Sequence, residues 1–332
     1  MMEMFVPESI KNFLRPSLQN IRRLRDLFIV CTYDFQRYAK YSGVFRRERH
    51  IPSRGAWLTK EYHVIEKGLA LPQPRPGFGG ERIRRLTDMA TKAMRANVCR
   101  SEVTLAIDAL QGYRDFNDQN EIEPQTWLEQ VLETANRHGI PHTGAPIVEI
   151  MRPCVDASKS LDFIRSRRSV RDFADKPVPD EVLENAVSAA QYAPCVCNRQ
   201  AGRVYLIREK KVKDLALSFQ NGNRGFGDIT PVVAIITIDQ AEMLEPTERY
   251  QHWIDGGMFA QNFLLGLHAQ GYGACPLNWS APLSKDRGIR KALGFIPDTE
   301  TIIMMVAIGA LKDRYKVARS ERRPTSEVMT II

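Results

Sequence analysis

The stretch from Arg165 to Gln200 constrains the fold most, because two polar ends flank one amphipathic segment. Within it, Pro179-Asp180-Glu181 is a typical helix start, with Asp180 as the predicted N-cap. The apolar residues that follow recur at helical spacing and predict a buried stripe of Val182, Leu183, Ala186, Val187 and Ala190. The two polar ends are therefore expected on either side of one helix.

Basic and hydroxyl side chains crowd into the first polar end: Arg165, Ser166, Arg167, Arg168, Ser169 and Arg171. Arginine offers planar, charge-assisted donors that match phosphate oxygens, so this composition predicts an anion site. A charge run alone is more often a solvated helix end. The second end favours the anion site, because Pro194 and the Asn198-x-Gln200 pair provide neutral groups that can recognise a polar heterocycle.

Composition narrows the class of protein. A chain of 332 residues with 43% hydrophobic content can bury a real core, as one large or two ordinary domains. Six cysteines without a Cys-x-x-Cys pair predict reduced thiols and no metal site. The N-terminus lacks a targeting pattern, and no apolar run is long enough to cross a bilayer. A cytoplasmic protein is expected.

Charge is distributed unevenly along the chain. Residues 1–100 carry 20 Lys and Arg against 9 Asp and Glu, and residues 101–150 carry 2 against 9. A basic patch of this kind more often covers an anionic ligand or pairs with a neighbouring acidic segment than binds nucleic acid or a membrane surface. We therefore expect a small-molecule substrate, no nucleic-acid partner and no membrane partner.

The first half of the chain has helical periodicity. Residues 8–41 and 81–138 repeat apolar side chains at spacings of three and four. Pro141 to Asp156 contains three prolines and predicts a linker. We expect a mainly helical N-terminal region over residues 1–150, acting as a lid or an interaction module, and a second domain over residues 151–332.

The segment Leu58–Leu71 groups three residues that carry chemistry. If its first part is a helix that ends at Gly68, then His63, Glu66 and Lys67 share one face. Such a trio could hold a substrate carboxylate or transfer a proton. A surface ion-pair face with a satisfied histidine is the commoner arrangement, so His63 and Lys67 are candidate substrate residues with that alternative open.

The second half of the chain alternates strands and helices. Residues 203–208, 231–238 and 301–308 predict strands, and 231–238 is a continuous run rich in Val and Ile, as central strands are. His252 to Gln270 is apolar or small on several faces. That composition predicts a buried helix packed against its copy in a homodimer.

The arrangement Arg-Arg-Ser-x-Arg-x-Phe, an amphipathic helix and then Ala-Pro-x-x-x-Asn-x-Gln resembles the opening of the nitroreductase family of FMN-dependent oxidoreductases. The resemblance implies an α+β (mixed α/β) fold with a mixed central sheet flanked by helices. In that family the first segment holds the FMN phosphate and ribityl chain, which implies this role for Arg167, Arg168, Ser169 and Arg171. The second lies over the flavin near the dimer interface, which implies contacts from Pro194, Cys195, Asn198 and Gln200.

The resemblance implies three further segments in a fixed order, and the first of them is Phe219 to Asp228. Asn221 and Arg224 would reach the flavin there. A cation at Arg224 near N1 and the C2 carbonyl would stabilise the reduced ring. A plain Gly/Asn surface turn is the alternative.

The second of these segments is Gly271 to Trp279, a loop that in the family lays its backbone along the flavin. By position, the backbone N–H of Asn278 would donate to flavin N5, with Pro276 and Leu277 against the ring. The family often has an acidic residue and a glycine where this chain has Asn278 and Trp279. Trp279 would therefore narrow the substrate space.

The third of these segments is the basic cluster from Arg319 to Pro324, which would complete the phosphate clamp. Arg322 is the closest positional match. Some members carry a lysine where this chain has Ser320, and Arg319 or Arg323 would substitute for it. A basic tail without a ligand is the alternative.

The implied chemistry is ping-pong hydride transfer from NAD(P)H through FMN to an electron-poor small molecule: a nitro compound, a quinone, an enone or a dedicated metabolite. The flavin carries the reaction, and the protein orients it and stabilises charge. The alternative is a flavin-binding protein without turnover that acts as a partner or regulator through residues 1–150.

Overall fold

The N-terminal region is helical, as predicted. The computed structural model describes residues 8–45, 51–123 and 125–332, and only the backbone of residues 8–19 and 51–52. Pro124, which the sequence predicts as the start of a helix, lies outside the described residues. The helices of this region are α1 (Glu8–Tyr41), α2 (Ile51–Leu69), α3 (Gly80–Ala96), α4 (Arg100–Gln119) and α5 (Thr126–Arg137). No helix in the described ranges is both long and apolar enough to cross a lipid bilayer.

Helices α2 to α5 enclose a hydrophobic core of their own. Tyr62 of α2, Leu86 of α3 and Leu110 of α4 are almost completely buried in it, together with Leu128 of α5. These residues belong to the apolar stripes that recur every three or four positions, and such a stripe must be buried against another element. The helical periodicity predicted over residues 81–138 is thus the pattern that packs α3, α4 and α5.

The second half of the chain builds a small sheet between helices. Its strands are β1 (Gly202–Ile207), β2 (Val232–Asp239), β3 (Tyr272–Asn278) and β4 (Glu300–Ala310), in the order β1-β2-β4-β3. Its helices are α6 (Ala157–Ser166), α7 (Asp180–Gln191), α8 (Lys210–Ser218), α9 (Gln251–Ala269) and α10 (Leu283–Leu293). The predicted α+β fold, with a helical region ahead of a helix-flanked sheet, is confirmed.

The continuous apolar run in β2 follows from burial of both faces of the sheet. Val233 and Ile235 belong to one hydrophobic cluster, with side chains of α8 and α10, and Ala234 and Ile236 belong to another, with side chains of α7 and α9. Successive side chains of a strand point to opposite faces. A strand covered on both sides therefore needs apolar residues at every position rather than at alternate ones.

The segment Gly271 to Trp279, expected to be a loop, contains the edge strand β3. Pro276 stands opposite Val306 in its antiparallel pairing with β4. Proline lacks the N–H that a ladder uses, and an edge strand tolerates it because one side of its backbone is unpaired. The expectation of a loop came from the family resemblance, and the structure has a strand over Tyr272–Asn278 instead.

The sheet was expected to mix parallel and antiparallel strands, but its strands pair only antiparallel among the described residues. β1, β2, β3 and β4 pair antiparallel. Parallel pairing is seen between Ser169 and Ala274, as one isolated bridge. The extended segment before α7 thus adds a single residue pair, and not a full strand, to the β3 edge.

Hydrogen bonds fasten the end of α1 to the second half of the chain. Arg37 Nη2 donates to the carbonyl oxygens of Asp298 at 2.7 Å and Glu300 at 2.8 Å. Farther upstream, Leu24 and Phe28 are 68% and 71% exposed. Packing of α1 on the second half is therefore concentrated in its last turns.

Candidate functional site

The first polar end lies against the edge strand. Ser169 forms the parallel bridge with Ala274, and the Val170 N–H donates to the Ala274 carbonyl oxygen at 3.0 Å. This contact places Arg167–Arg171 beside the strand that ends at Asn278. Two segments that are about a hundred residues apart in the sequence therefore meet at one edge of the sheet.

Arg167 has a buried donor without a partner. Its Nη1 atom is buried and forms no hydrogen bond within the described part of the chain. Burial lowers the pKa of Arg167, and the nearby positive charges of Arg322 and Arg168 lower it further. A buried guanidinium N–H among other cations fits an anionic group, because phosphate oxygens accept from it and offset the repulsion.

Arg322 is the C-terminal arginine that reaches this cluster. Its positive charge lowers the pKa of Arg167, and its Nη1 donates to the carbonyl oxygen of Ser320 at 2.6 Å. Arg319 instead forms an ion pair with Glu321. Arg322, the closest positional match for the clamp, therefore lies near Arg167, while Arg319 is engaged by Glu321.

Arg168 and Arg171 are exposed beside the buried donor. Arg168 Nη1 donates to the Arg167 carbonyl oxygen at 3.0 Å, and Arg171 Nη1 donates to the Ser169 carbonyl oxygen at 3.5 Å. Both side chains keep further N–H groups beyond these bonds, since a guanidinium carries five. They are placed to bind an anion from the solvent side.

Gln220 fixes the end of β3. Its Nε2 donates to the Asn278 carbonyl oxygen at 2.6 Å, and its Oε1 accepts from the Gly222 N–H. Asn221 Oδ1 accepts from Lys285 Nζ at 2.5 Å. The turn that contains Asn221 and the strand end at Asn278 are therefore neighbours, as the resemblance requires.

The residues around this strand end differ in what they can offer a ligand. Leu277 is 4% exposed and belongs to the core, so only its backbone would be available there. Pro276 and Asn278 alternate to the other face, and Asn278 is exposed. Arg224 is exposed in the neighbouring turn.

Trp279 is oriented by a carboxylate. Its Nε1 donates to Asp286 Oδ1 at 2.9 Å, while Asp286 Oδ2 accepts from Tyr33 Oη at 2.7 Å and from Arg290 Nε at 3.1 Å. Burial alone would raise the pKa of Asp286, but the charge of Arg290 and these hydrogen bonds bring that pKa below its ordinary value. A residue of α1 thus helps to hold the segment that follows Asn278.

The second polar end has an unusual backbone. Cys197, Asn198 and Gln200 have φ angles of 49°, 52° and 51°. A left-handed conformation costs a residue other than glycine about 1–2 kcal/mol. Such residues persist only when their surroundings enforce them, and they cluster at functional sites.

Arg199 enforces this turn from inside the protein. Its side chain is 1% exposed, and its Nη2 and Nη1 donate to the two carboxylate oxygens of Glu248 at 2.7 Å and 3.0 Å. Its Nε donates to the Val196 carbonyl oxygen at 3.2 Å, and the Val196 N–H donates to Asp255 Oδ2 at 3.1 Å. The turn is therefore anchored to the segment before α9 and to α9 itself.

Glu242, whose carbonyl oxygen also accepts from Arg199, should make the free energy of unfolding depend on pH. Burial raises the pKa of Glu242 to about 8, the charge of Asp239 adds to the shift, and the charges of Arg203 and Arg199 oppose it. A carboxyl group whose pKa rises on folding destabilises the fold progressively as pH increases from its unfolded toward its folded value. Glu242→Gln should therefore be neutral at pH 4.5 and stabilise the protein by about 2–3 kcal/mol at pH 8. Urea unfolding at both pH values measures this, and a difference independent of pH would contradict it.

His63 faces the second polar end across a cavity of ≈ 640 Å³. The cavity wall includes Pro194, Cys195, Asn198 and Gln200. His63 Nδ1 lies 3.1 Å from Glu66 Oε2, and burial raises the pKa of Glu66 although the histidine opposes that shift. Lys67 is exposed on the same helix. The N-terminal region therefore brings a histidine–carboxylate pair to its own chain's second polar end.

Within one chain the predicted residues form two groups. The first surrounds β3 and includes Arg167, Ser169, Asn221, Asn278 and Arg322. The second lines the cavity and includes His63, Pro194, Cys195, Asn198 and Gln200. No hydrogen bond between residues that the structure describes joins the two groups.

Several supporting residues were missed by sequence reasoning. Glu248 had a local signal, since it forms a capping box with Glu245 at the start of a short helix. Arg199 had none, because Glu248 lies 49 positions away in the sequence. Gln220 acts through a partner 58 positions away, and Asp286 combines the nearby partners Trp279 and Arg290 with the remote Tyr33.

The matches to known proteins cover about half of the chain or less, and the family model matches only residues of its second half. Residues 164–225 and 216–310 match the model of the nitroreductase family. A Streptomyces coelicolor protein, provisionally named NADH dehydrogenase/NAD(P)H nitroreductase, is 26% identical over 196 residues, 53% of this chain and 96% of its own. A nitrobenzene nitroreductase of Ectopseudomonas oleovorans is 48% identical over 46 residues, 14% of this chain and 20% of its own. A solved Desulfovibrio desulfuricans protein, provisionally named a nitroreductase and in complex with FMN, is 25% identical and aligns over 52% of this chain and 95% of that chain with a TM-score of 0.46.

Proposed function

We propose that the protein is an FMN-dependent NAD(P)H oxidoreductase, because residues 164–225 and 216–310 match the model of the nitroreductase family. The observation that carries this proposal is Arg167, whose buried Nη1 lacks a partner in the described residues and stands beside Arg168 and Arg322. These donors suit the phosphate of FMN. The electron acceptor is proposed to be a small electron-poor molecule: a nitro compound, a quinone, an enone or a dedicated metabolite.

The residues of the β3 group would bind and orient the cofactor. FMN, when bound, supplies the hydride chemistry between NAD(P)H and the acceptor. Arg167, Arg168 and Arg322 would hold its phosphate. Gln220, which binds the Asn278 carbonyl oxygen, would restrict the backbone on the C-terminal side of the Asn278 N–H, the proposed fixed donor. Arg224, exposed in the neighbouring turn, would offset negative charge on the reduced ring.

We further propose that a homodimer completes the site. The two groups of site residues are separate within one chain, and the outward face of α9 exposes Ile254 to 53%. Apolar side chains of this size on an exposed helix face are typical of a subunit interface. A second copy would bring its Pro194–Gln200 segment to the β3 group of the first.

Residues 1–150 would then form a cover over the acceptor, and residues 151–332 the flavin domain. The N-terminal residue placed best for chemistry is His63, which lines the cavity and is held by Glu66. An acceptor that gains a hydride on carbon also needs a proton on its second atom. His63 would hold that proton.

Anaerobic mixing with NADH and with NADPH tests the proposed function. We expect the purified protein to contain FMN and its visible absorbance to bleach within a catalytic turnover time with at least one of the two. Absence of bleaching with both would contradict the enzyme and favour a flavin-binding protein without turnover.

The same experiment resolves the role of His63. His63→Gln should leave bleaching by NAD(P)H unchanged and slow reoxidation by 2-cyclohexen-1-one about 100-fold, the usual contribution of a positioned proton donor. His138→Gln, the same change at an exposed histidine that does not line the cavity, is the matched control and should reoxidise like the parent. Equal reoxidation rates in all three proteins would exclude His63 as the proton donor.

A further inference from the structure

A cavity of ≈ 680 Å³ lies between α1 and the second half of the chain. Its walls are largely aromatic and include Phe35, Tyr38, Phe45, Tyr250, Trp253 and Trp279. A cavity of this volume accommodates a small organic molecule, and aromatic walls favour planar rings through stacking and edge-to-face contacts. Phe35 and Phe45 are 72% and 77% exposed, so the wall also presents apolar surface to a molecule that enters.

Two buried polar atoms at this cavity lack partners among the residues that the structure describes. They are Gln240 Oε1 and His252 Nδ1, and each of these side chains is 3% exposed. The other end of the Gln240 amide is engaged, since its Nε2 donates to Thr301 Oγ1 at 2.6 Å. Gln240, His252 and Thr301 all line the cavity. Buried polar atoms are nearly always paired, so this pair of atoms points to a ligand with polar groups of its own.

His252 is held in a way that favours hydrogen bonding over charge. Its ring stacks on Tyr38 with centroids 5.9 Å apart and lies 5.1 Å from the ring of Trp253. Burial lowers the pKa of His252 to about 4, and the charge of Arg37 contributes to that shift. The imidazole is therefore neutral near pH 7, with one nitrogen that donates and one that accepts.

The ionised groups of the wall are largely engaged by the protein. Arg37 donates to two backbone carbonyl oxygens, and Asp286 accepts from Arg290. Among the buried polar atoms of the wall, those left for a ligand are the uncharged Gln240 Oε1 and His252 Nδ1, whereas the charged Asp34 and Arg249 of the wall are exposed to water. A neutral molecule suits this cavity better than an ion, because an ion would lose its hydration without gaining a counter-charge.

We propose that this cavity binds a neutral, planar aromatic molecule that carries an amide or lactam group. Its rings lie between the aromatic walls, its N–H donates to Gln240 Oε1, and its carbonyl accepts from the imidazole of His252. One amide group satisfies both buried atoms at once. The site uses none of the arginine cluster at β3 and stands whether or not the proposed flavin chemistry does. It adjoins that chemistry at Trp279, which lines the cavity and follows Asn278.

Isothermal titration calorimetry of the full chain with 2-naphthamide tests the proposal. We expect saturable binding with one molecule per chain. Gln240→Met and His252→Phe should each weaken binding about tenfold, since each removes one hydrogen bond to a desolvated partner. Gln36→Met is the matched control, because Gln36 is an exposed residue of α1 that lines a neighbouring groove, and it should bind 2-naphthamide like the parent.

Two ligand controls need no variant. 2-Naphthoate has the same rings but a charge and no N–H, so it should bind at least tenfold more weakly. Competition between NAD⁺ and 2-naphthamide separates two sources of the amide. If NAD⁺ displaces 2-naphthamide, the cavity binds the nicotinamide of a dinucleotide. If it does not, the cavity binds a separate small molecule. The proposal is overturned if 2-naphthamide shows no saturable binding, if 2-naphthoate binds equally well, or if Gln240→Met and His252→Phe both bind like the parent.

Discussion

Arg167→Met should yield a protein that has lost most of its flavin. Hydrogen bonds to charged groups contribute about 1.5–3 kcal/mol each, and every 1.4 kcal/mol is tenfold in affinity. Loss of the buried Nη1 donor and of the adjacent charge at the phosphate should therefore weaken FMN binding about 100-fold. The flavin content after purification and a fluorescence titration of apoprotein with FMN measure the effect.

Arg165→Met is the matched control for this change. It removes the same charge two positions away, from an exposed side chain that pairs with Asp162 at 3.5 Å, and should bind FMN like the parent. The apoproteins add a second distinction. Without a ligand, the buried Nη1 donor of Arg167 has no partner among the described residues, so Arg167→Met should unfold at the same temperature as the parent or higher. Parent-like flavin content in Arg167→Met would contradict the phosphate assignment.

The elements that the sequence predicts correctly are those specified by a pattern of neighbouring residues. The apolar run of β2 and the helical stripes of α3, α4 and α7 are local patterns, and the structure has a strand or a helix at each of them. The segment that contains β3 was expected to be a loop because the family resemblance implied one there. What makes β3 a strand is its pairing with β4, a long-range contact that no local pattern reports.

The candidate site shows the same limit. Arginines and hydroxyls close together in the sequence were enough to predict an anion site, and the family resemblance implied its distant segments. Their meeting depends on two contacts. The Ser169–Ala274 bridge joins residues about a hundred positions apart, and the hydrogen bond from Gln220 to Asn278 joins residues 58 positions apart. Motif reasoning could therefore name the ligand-facing residues but not the residues that hold them in place.

Arg199→Met tests the most consequential of these holding residues. It breaks a buried ion pair and leaves the Glu248 carboxylate, 15% exposed, without its cation. Loss of one partner of a buried pair destabilises a protein by about 3–5 kcal/mol. The strained turn of Cys197, Asn198 and Gln200 also loses its anchor, so hydrogen exchange there should accelerate more than in β2. Urea unfolding at pH 7 measures the loss of stability.

The pH dependence of Arg199→Met separates the ion pair from simple loss of packing. Burial alone would raise the pKa of Glu248, but the hydrogen bond and charge of Arg199 and two backbone N–H donors bring that pKa below its ordinary value. A carboxylate with a lowered folded pKa stabilises the fold above its unfolded pKa, and this contribution is lost as pH falls through the folded value. The difference between parent and variant should therefore shrink below about pH 4. Arg208→Met, which breaks an exposed pair with Asp180, is the control and should cost less than about 1 kcal/mol at pH 7. A loss in Arg199→Met as small as in this control would show that the turn of the second polar end is held by other contacts.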